Sequence, residues 1–378
     1  MVQHLQSLLL ILAVSAPLLA SSQTLTEVLS SRDDLSTLRT LVGQFPGLLD
    51  GVASAGGTIL APSNQAFANF LRAAGVDSPA SLPTDTVRSL LTYHVLPQAL
   101  DGETLSAPGG AVAETALASG AFANLGGGPN VLFASAYGSV GLDEEASGLK
   151  IYSGVGAPAN VTTGDIVFNN GFVHVISSVL NLPQTPSQTA ETAALTILLS
   201  ALEQTNLTST VDSTPRLTVF APSDEAFSAS GIDLSALSVQ QLGEVLQYHT
   251  IVGDLVGYST ELEDGQEYKT LAGPAVRVHK RGGQLFVNDV AVALGNVITT
   301  NGVAHVLSGI LLPSAPGAPS GPSSGTPTSG SSSTGISPSG GSIQTSQTSG
   351  AEAVSTQSTF YLPVLASVIM TSTLLSLA

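Results

Sequence analysis

The chain has 378 residues, and its 27 Asp and Glu outnumber its 10 Lys and Arg, giving a formal net charge of -17. Because nucleic-acid binding requires clustered Lys and Arg to neutralise phosphates, this composition excludes a general nucleic-acid binder. The sequence contains no cysteine, which excludes disulfide scaffolds, thiol nucleophiles and cysteine-ligated metal sites. The length allows two or three domains at roughly 100 to 200 residues each.

The first 22 residues have the pattern of a secretory signal peptide. Residues 5–14 form a short apolar run, and Pro17 is followed by the small residues Ala20, Ser21 and Ser22, which suit cleavage. We therefore expect residues 1–22 to be removed. A short buried helix is the alternative interpretation.

The C-terminal part has the pattern of a stalk and a lipid anchor. Residues 314–349 consist almost entirely of Ser, Thr, Gly and Pro, and such a segment lacks the apolar surface to fold. We predict an O-glycosylated stalk there, with a bare flexible linker as the alternative. Residues 350–378 contain a polar spacer and an apolar tail that no Lys or Arg follows. This order predicts a glycosylphosphatidylinositol signal, with attachment at Ser349 or Gly350, rather than a membrane-spanning helix.

The middle of the chain contains an internal repeat. Residues 58–67 (TILAPSNQAF) recur as residues 218–227 (TVFAPSDEAF), and residues 90–94 (LLTYH) recur as residues 245–249 (VLQYH). Residues 170–175 (NGFVHV) recur as residues 301–306 (NGVAHV). Three blocks repeated in the same order indicate a duplicated domain. We place the first domain at residues 24–182 and the second at residues 185–312.

Each copy combines helical and strand patterns. Apolar residues at helical spacing over residues 35–45 and 195–202 predict an amphipathic helix that opens each copy. The segments before Pro62 and Pro222 predict strands, with Ser63 and Ser223 capping the helices that follow. Ser238 with Gln241 predicts a further capped helix. Helices and strands without regular alternation indicate the α+β class.

Two features of the third block and its surroundings yield further predictions. The Asn-Gly pairs at residues 170–171 and 301–302 predict type I′ turns, in which the backbone φ is positive.

The first copy also has more residues between its second and third blocks than the second copy has. We expect the extra residues, around 107–141, to form an inserted excursion on the surface.

The repeated blocks resemble the fasciclin (FAS1) domain, a family of extracellular adhesion modules. The resemblance rests on the Ala-Pro block, the Tyr-His pair and the hairpin of each copy, and it covers residues 24–182 and 185–312. It implies two tandem domains, each a β-wedge or sandwich flanked by helices, and a role in cell adhesion or matrix organisation. The whole arrangement also resembles fungal and plant members that carry a lipid anchor.

The resemblance also implies candidate binding residues. In animal members, integrin recognition is attributed to the Tyr-His region and to an Asp-Ile element before the hairpin. The matching residues here are the pairs Tyr93 and His94, Tyr248 and His249, and Asp165 and Ile166. The second copy departs from the pattern, with Asn296 at the place of the Asp. A structural role for the Tyr-His pairs, locking a helix end to a strand, is the alternative that we favour.

The sequence offers little for catalysis. Four of the six histidines lie in the repeated blocks, but no third ligand recurs in register, so we expect neither a metal nor a cofactor. No nucleophile-elbow, phosphate-loop or zinc-protease motif is present. We expect a protein that is not an enzyme.

The predicted function is cell-surface adhesion or interaction with the extracellular matrix or cell wall. We expect the partners to be surface, matrix or wall glycans or proteins, including a second copy of this chain. The expected location is the outer face of the plasma membrane or the cell wall. The sequons at Asn160 and Asn206 predict N-glycosylation on that route. The alternatives are a sensing ectodomain for a glycan or small apolar molecule and an extracellular hydrolase.

Overall fold

The computed structural model describes residues 23–313 except residue 254. The predicted signal peptide (1–22), stalk (314–349) and anchor signal (350–378) lie outside the described residues. Both predicted domains lie within them.

The first domain combines six α-helices with seven strands among its described residues. The helices are α1 (Leu25–Ser30), α2 (Ser36–Gly43), α3 (Asp50–Ala55), α4 (Asn64–Ala73), α5 (Thr84–Tyr93) and α6 (Gly102–Leu105). The strands are β1 (Gly57–Pro62), β2 (Val95–Leu96), β3 (Ala111–Glu114), β4 (Val131–Ser135), β5 (Lys150–Tyr152), β6 (Pro158–Phe168) and β7 (Gly171–Ile176).

Among its described residues, the second domain repeats this order without a counterpart of α6. Its helices are α7 (Pro186–Thr192), α8 (Thr196–Gln204), α9 (Thr208–Ser213), α10 (Asp224–Ser230) and α11 (Val239–Tyr248). Its strands are β8 (Leu217–Pro222), β9 (Thr250–Val252), β10 (Glu267–Lys269), β11 (Ala275–Arg281), β12 (Gln284–Val287), β13 (Val290–Thr299) and β14 (Gly302–Leu307).

The two domains share one sheet topology. The strand order is β2-β1-β7-β6-β5-β4-β3 in the first domain and β9-β8-β14-β13-β12-β11-β10 in the second. Strand β1 runs parallel to β7, with Ile59 opposite Val173, and β8 runs parallel to β14. The other pairings within these sheets are antiparallel. The predicted α+β class and the tandem arrangement are therefore confirmed.

The predicted caps are present, and two further caps identify helices that the periodicity missed. The side chains of Ser63, Ser223 and Ser238 accept hydrogen bonds from the first turns of α4, α10 and α11. Each domain opens one helix earlier than predicted, with α1 and α7. Capping boxes at Thr24 and Thr185 start these two helices, so their signal was present in the sequence.

The predicted type I′ turns are wrong. Asn169 and Asn170 connect β6 to β7, and the described residues with left-handed φ include neither of them. Gly171 is instead the first residue of β7 and pairs with Gly57 of the parallel strand β1. A Cβ at Gly171 would collide with the carbonyl oxygen of Gly57. The glycine is therefore required by the close approach of two strands, and Gly302 meets Leu217 in the same way.

The expected surface excursion is also wrong. Residues 107–141 contain strands β3 and β4, and β4 is buried along its whole length. The additional length lies mainly in two loops, because residues 115–130 correspond to 270–274 and residues 136–149 correspond to 282–283. Both long loops of the first domain contact the second domain.

Apolar side chains from both domains pack together between the sheets. Val131, Phe133 and Tyr152 of the first domain form one buried cluster with Tyr258, Ile298 and Val303 of the second. Val140, from the loop of residues 136–149, belongs to a core cluster of the second domain. The burial of apolar surface across this boundary stabilises one arrangement of the two domains.

Polar contacts complete the interface. The Nδ2 of Asn130 donates to the carbonyl oxygen of Thr299 at 3.0 Å, and the side chain of Asn130 is inaccessible to solvent. The Nδ2 of Asn296 donates to the carbonyl oxygen of Ser139 at 2.8 Å. Since buried amides require partners, each asparagine favours the observed docking of the domains.

Candidate functional site

The first Tyr-His pair lies inside the first domain. Helix α5 ends at Tyr93, and His94 occupies its C-cap. The Tyr93 hydroxyl donates to the carbonyl oxygen of Val131 at 2.9 Å, and His94 is 3% exposed. The imidazole bonds through Nδ1 to the carbonyl oxygen of Leu90 at 2.7 Å, and its Nε2 accepts from the backbone N–H of Leu180 at 2.9 Å. Because Nδ1 faces a carbonyl, it is the nitrogen that carries the proton.

The second pair repeats this geometry. The Tyr248 hydroxyl donates to the carbonyl oxygen of Ala275 at 3.2 Å. The Nδ1 of His249 bonds to the carbonyl oxygen of Val245 at 2.8 Å, and its Nε2 accepts from the backbone N–H of Leu311 at 2.9 Å. Each Tyr-His pair therefore ties the end of a helix to a strand and to the segment after the last strand of its domain.

The hairpin histidines use the opposite ring nitrogen as donor. The Nε2 of His174 donates to the carbonyl oxygen of Leu100 at 2.9 Å, and its Nδ1 accepts from the backbone N–H of Asp165 at 3.2 Å. The Nε2 of His305 donates to the carbonyl oxygen of Gly257 at 2.7 Å, and its Nδ1 accepts from the N–H of Asn296 at 3.4 Å. Each of these rings connects a bulge, in β6 or in β13, to the segment that follows the Tyr-His block of the same domain.

Burial keeps three of these rings neutral. It lowers the pKa of His94, His249 and His305 to about 4, with the bonds to backbone carbonyls acting weakly in the opposite direction. An imidazole with both nitrogens engaged by the backbone has no lone pair left for a metal. Within the described residues, no group of three or more His, Asp or Glu is placed to hold a metal ion.

The Asp-Ile element lies at a bulge of β6. Asp165 has a left-handed backbone, with φ 56°, and Asn296 has the same conformation at the equivalent place, with φ 52°. Asp and Asn tolerate this region better than other residues with a Cβ, so the backbone explains the residue type at both positions. The Asp165 carboxylate accepts from the N–H of Gly102 at 2.7 Å and is exposed. Ile166 is half-buried and packs against the core.

The six predicted binding residues therefore occupy different environments. Asp165 alone among them has an exposed side chain, whereas the side chains of both Tyr-His pairs are buried. The structure brings Asp165 together with His174, through the hydrogen bond described above, and not with Tyr93. That these six residues contact a partner stays a prediction.

The second domain does not present an equivalent of Asp165. Asn296 is fully buried, and its amide contacts Ser139 of the first domain and the Ser259 hydroxyl, the latter at 2.7 Å. The sequence interpretation missed the interface role of Asn296 and of Asn130. For Asn296 the available signal was an amide residue within the otherwise apolar pattern of β13, and for Asn130 it was an amide residue directly before the apolar strand β4, since a buried amide needs partners.

The two predicted glycosylation sites are accessible. The side chains of Asn160, in β6, and Asn206, after α8, are both exposed. Asn206 also has a left-handed backbone, with φ 56°. Glycosylation at both positions stays a prediction that their exposure permits.

Among the described residues, no helix has the length and apolar character needed to cross a membrane.

Comparison with known proteins gives consistent matches. The fasciclin domain model matches residues 33–183 and again residues 193–313. The fasciclin-like arabinogalactan protein CTB11 of Cercospora beticola is 30% identical over 308 residues, covering 80% of each chain. The fasciclin-like arabinogalactan protein elcF of Phaeosphaeria nodorum is 29% identical, covering 78% of this chain and 90% of the relative.

One solved structure is a FAS1 domain pair from the insect cell adhesion molecule Fasciclin I. It is 21% identical, covers 73% of this chain and 96% of its own, and has a TM-score of 0.33. The family model accounts for most of the chain, with one match in each of the two domains described above. The chain therefore belongs to the fasciclin family and contains two fasciclin domains in tandem.

Proposed function

We propose that this chain is a non-catalytic adhesion protein of the cell surface. The observation that carries the proposal is the tandem pair of fasciclin domains, in a chain that is 30% identical to a fungal fasciclin-like arabinogalactan protein over 80% of both chains. Its partners are glycans or proteins of the cell surface, matrix or wall, including a second copy of this chain. Many copies on one surface turn weak individual contacts into firm attachment through avidity.

The environment of the histidines supports the non-catalytic part of the proposal. General acid-base chemistry needs a titrating side chain within hydrogen-bonding reach of a substrate. The rings of His94, His174, His249 and His305 instead bond the protein backbone through both nitrogens. These side chains stabilise the domains and are not available for proton transfer.

The Asp165 carboxylate is the part of the predicted site best placed for partner contact. It lies exposed on the first domain, whereas the first domain covers its counterpart Asn296. We place the adhesive contact of the Asp-Ile element on the first domain alone. Asp165→Asn is a matched variant, because Asn occupies the equivalent left-handed position at Asn296 and keeps an acceptor oxygen for the N–H of Gly102.

Adhesion of beads coated with the full chain tests the function. The beads are mixed with each other, with cells and with immobilised wall polysaccharide, next to beads carrying the Asp165→Asn chain. Clustering or capture by the unmodified chain supports adhesion, and a loss with Asp165→Asn places the contact at the Asp-Ile element. Failure of the unmodified chain to attach to any surface at high coating density contradicts the proposal.

We also propose that the protein is displayed on the outer face of the plasma membrane through a lipid anchor. The support is the order of small residues, polar spacer and apolar tail that begins at Ser349 and Gly350. Treatment of intact cells with a phospholipase specific for such anchors should release the protein into the medium. Release by detergent alone would contradict the lipid anchor and favour a spanning tail.

A further inference from the structure

The second domain contains an apolar cavity that adhesion does not require. It lies between the opening helices α7 to α9, helix α11 and the sheet, and its volume is ≈ 70 Å³. A site for one water needs only about 10 to 15 Å³, so this cavity can hold several bonded heavy atoms. Its wall includes Ala190, Leu198, Leu202, Val219 and Leu246.

One polar group in this wall has no partner. The side chain of Thr189, in α7, is part of the lining, the residue is 5% exposed, and its Oγ1 forms no hydrogen bond. A helical threonine can satisfy its hydroxyl at the carbonyl four residues earlier, as Thr205 does at Ala201. Because an unpaired buried hydroxyl is unfavourable, Thr189 points to a ligand with a hydrogen-bonding group.

The matching positions of the first domain show how the cavity arises. Aligning α1 with α7 by the capping boxes at Thr24 and Thr185 makes Val28 the positional equivalent of Thr189, and Leu29 the positional equivalent of Ala190. Val28 and Leu29 are buried core residues. The second domain thus replaces an aliphatic pair by a hydroxyl and a methyl group, which leaves room and adds a polar atom.

A strained residue of the first domain completes the wall. Val155 lines the cavity, and its backbone has φ 66°. This conformation is unfavourable for a β-branched side chain, and such strain is found preferentially at functional sites. The neighbouring Gly154 bridges to Ile298 of the second domain, so the domain interface holds Val155 in place.

We propose that this cavity binds a small, uncharged aliphatic molecule that carries one hydroxyl or carbonyl group. The lining contains no Asp, Glu, Lys or Arg, and an ion buried there would lack a counter-charge. The aliphatic side chains contact the hydrocarbon part, and Thr189 bonds the polar group. The exposed Leu271 and the half-buried Gln247 mark the side from which the molecule enters. This site is independent of the proposed adhesive contact at Asp165.

Binding of 1-hexanol to the full chain, measured by calorimetry and ligand-detected NMR, tests the site. We expect saturable binding at one site per chain and no comparable binding of hexanoate. Thr189→Val should weaken binding about fivefold through loss of one hydrogen bond, whereas Thr189→Ser should retain it. Ala190→Leu, which introduces the side chain of the first domain, should abolish saturable binding.

Controls separate the cavity from other apolar surface. Val239 is 60% exposed on α11, and Val239→Ser should leave 1-hexanol affinity unchanged. Melting temperatures show whether Ala190→Leu is folded. If it is not folded, the comparison of 1-hexanol affinity between the near-isosteric variants Thr189→Val and Thr189→Ser tests the site. The proposal is overturned if the unmodified chain shows no saturable binding, if hexanoate binds equally well, or if Thr189→Val and folded Ala190→Leu bind like the unmodified chain.

Discussion

The Nε2 of His94 accepts a hydrogen bond of 2.9 Å from the backbone N–H of Leu180, joining the end of α5 to the segment that follows the last strand of the first domain. His249 makes the equivalent contact with Leu311. In each domain, one buried imidazole thus connects the end of a central helix to the C-terminal segment of the domain, which accounts for the recurrence of the Tyr-His block in both copies.

Replacing this imidazole should strongly destabilise the protein. In His94→Ala, the buried N–H of Leu180 loses its acceptor and a cavity forms, so we expect the free energy of unfolding to fall by about 3 kcal/mol. Urea denaturation measures this change. His279→Ala is the control, since His279 is half-buried and 3.8 Å from Asp264, and it should change the stability by less than about 0.5 kcal/mol. Equal stabilities of the two variants would contradict this role of His94.

The buried histidines also predict a loss of stability in acid. The pKa of His94, His249 and His305 is about 4 in the folded chain, against about 6.5 for an unperturbed imidazole. Between these values the unfolded chain binds more protons than the folded chain. The free energy of unfolding therefore decreases as the pH falls from about 6.5 to about 4, and these groups cause no further loss below that.

Urea denaturation at pH 7, 6, 5 and 4.5 checks this dependence. We expect a progressive decrease in the free energy of unfolding, and a shallower decrease in His94→Gln because one of the three titrating rings is absent. A profile that is flat from pH 7 to 4.5 would show that these rings do not govern the acid response.

Asn130 should determine how firmly the two domains hold together. Its Nδ2 donates to Thr299 of the second domain and to Phe122 of its own, and its Oδ1 accepts from the N–H of Val131. Asn130→Ala removes all three bonds at a fully buried position, and we expect a loss of about 2 kcal/mol in unfolding free energy. The melting curve should separate into two transitions as the coupling between the domains weakens.

Asn124→Ala is the matched control for the interface. Asn124 also bonds across the interface, with its Nδ2 donating to the carbonyl oxygen of Ser213, but it lies nearer to solvent. Its removal should have a much smaller effect because water replaces the lost partner. If Asn130→Ala melts as one transition at the unmodified temperature, Asn130 does not couple the domains.

The sequon at Asn160, whose side chain is exposed, predicts one N-glycan at that position. Protein secreted from a glycosylating host should lose the mass of a single N-glycan in Asn160→Gln, as measured by mass spectrometry of the intact chain. Asn69 is exposed on α4 but is not followed by the sequon pattern, so Asn69→Gln should keep the glycan mass. An unmodified residue 160 in the secreted protein would disprove occupancy.

Local patterns in the sequence determined the helices, their caps and the duplication. Ser63, Ser223 and Ser238 identify helix starts because a capping side chain and its backbone partner lie within three residues. The same signal at Thr24 and Thr185 was sufficient to predict α1 and α7. The repeat of three ordered blocks was sufficient to predict two copies of one fold.

Only the tertiary structure decided which contacts the distant segments make. Gly171 must be a glycine because β1, with Gly57, runs parallel beside it, and no pattern within a few residues encodes a partner so far away in the chain. In the same way, only the tertiary structure places the long loops of the first domain in the interface. It buries Asn296 there, whereas Asp165 is exposed. It also places Ala190 in the wall of a cavity, whereas Leu29 fills the core at the equivalent position of the first domain. These outcomes depend on which surfaces are removed from water together when the two domains pack.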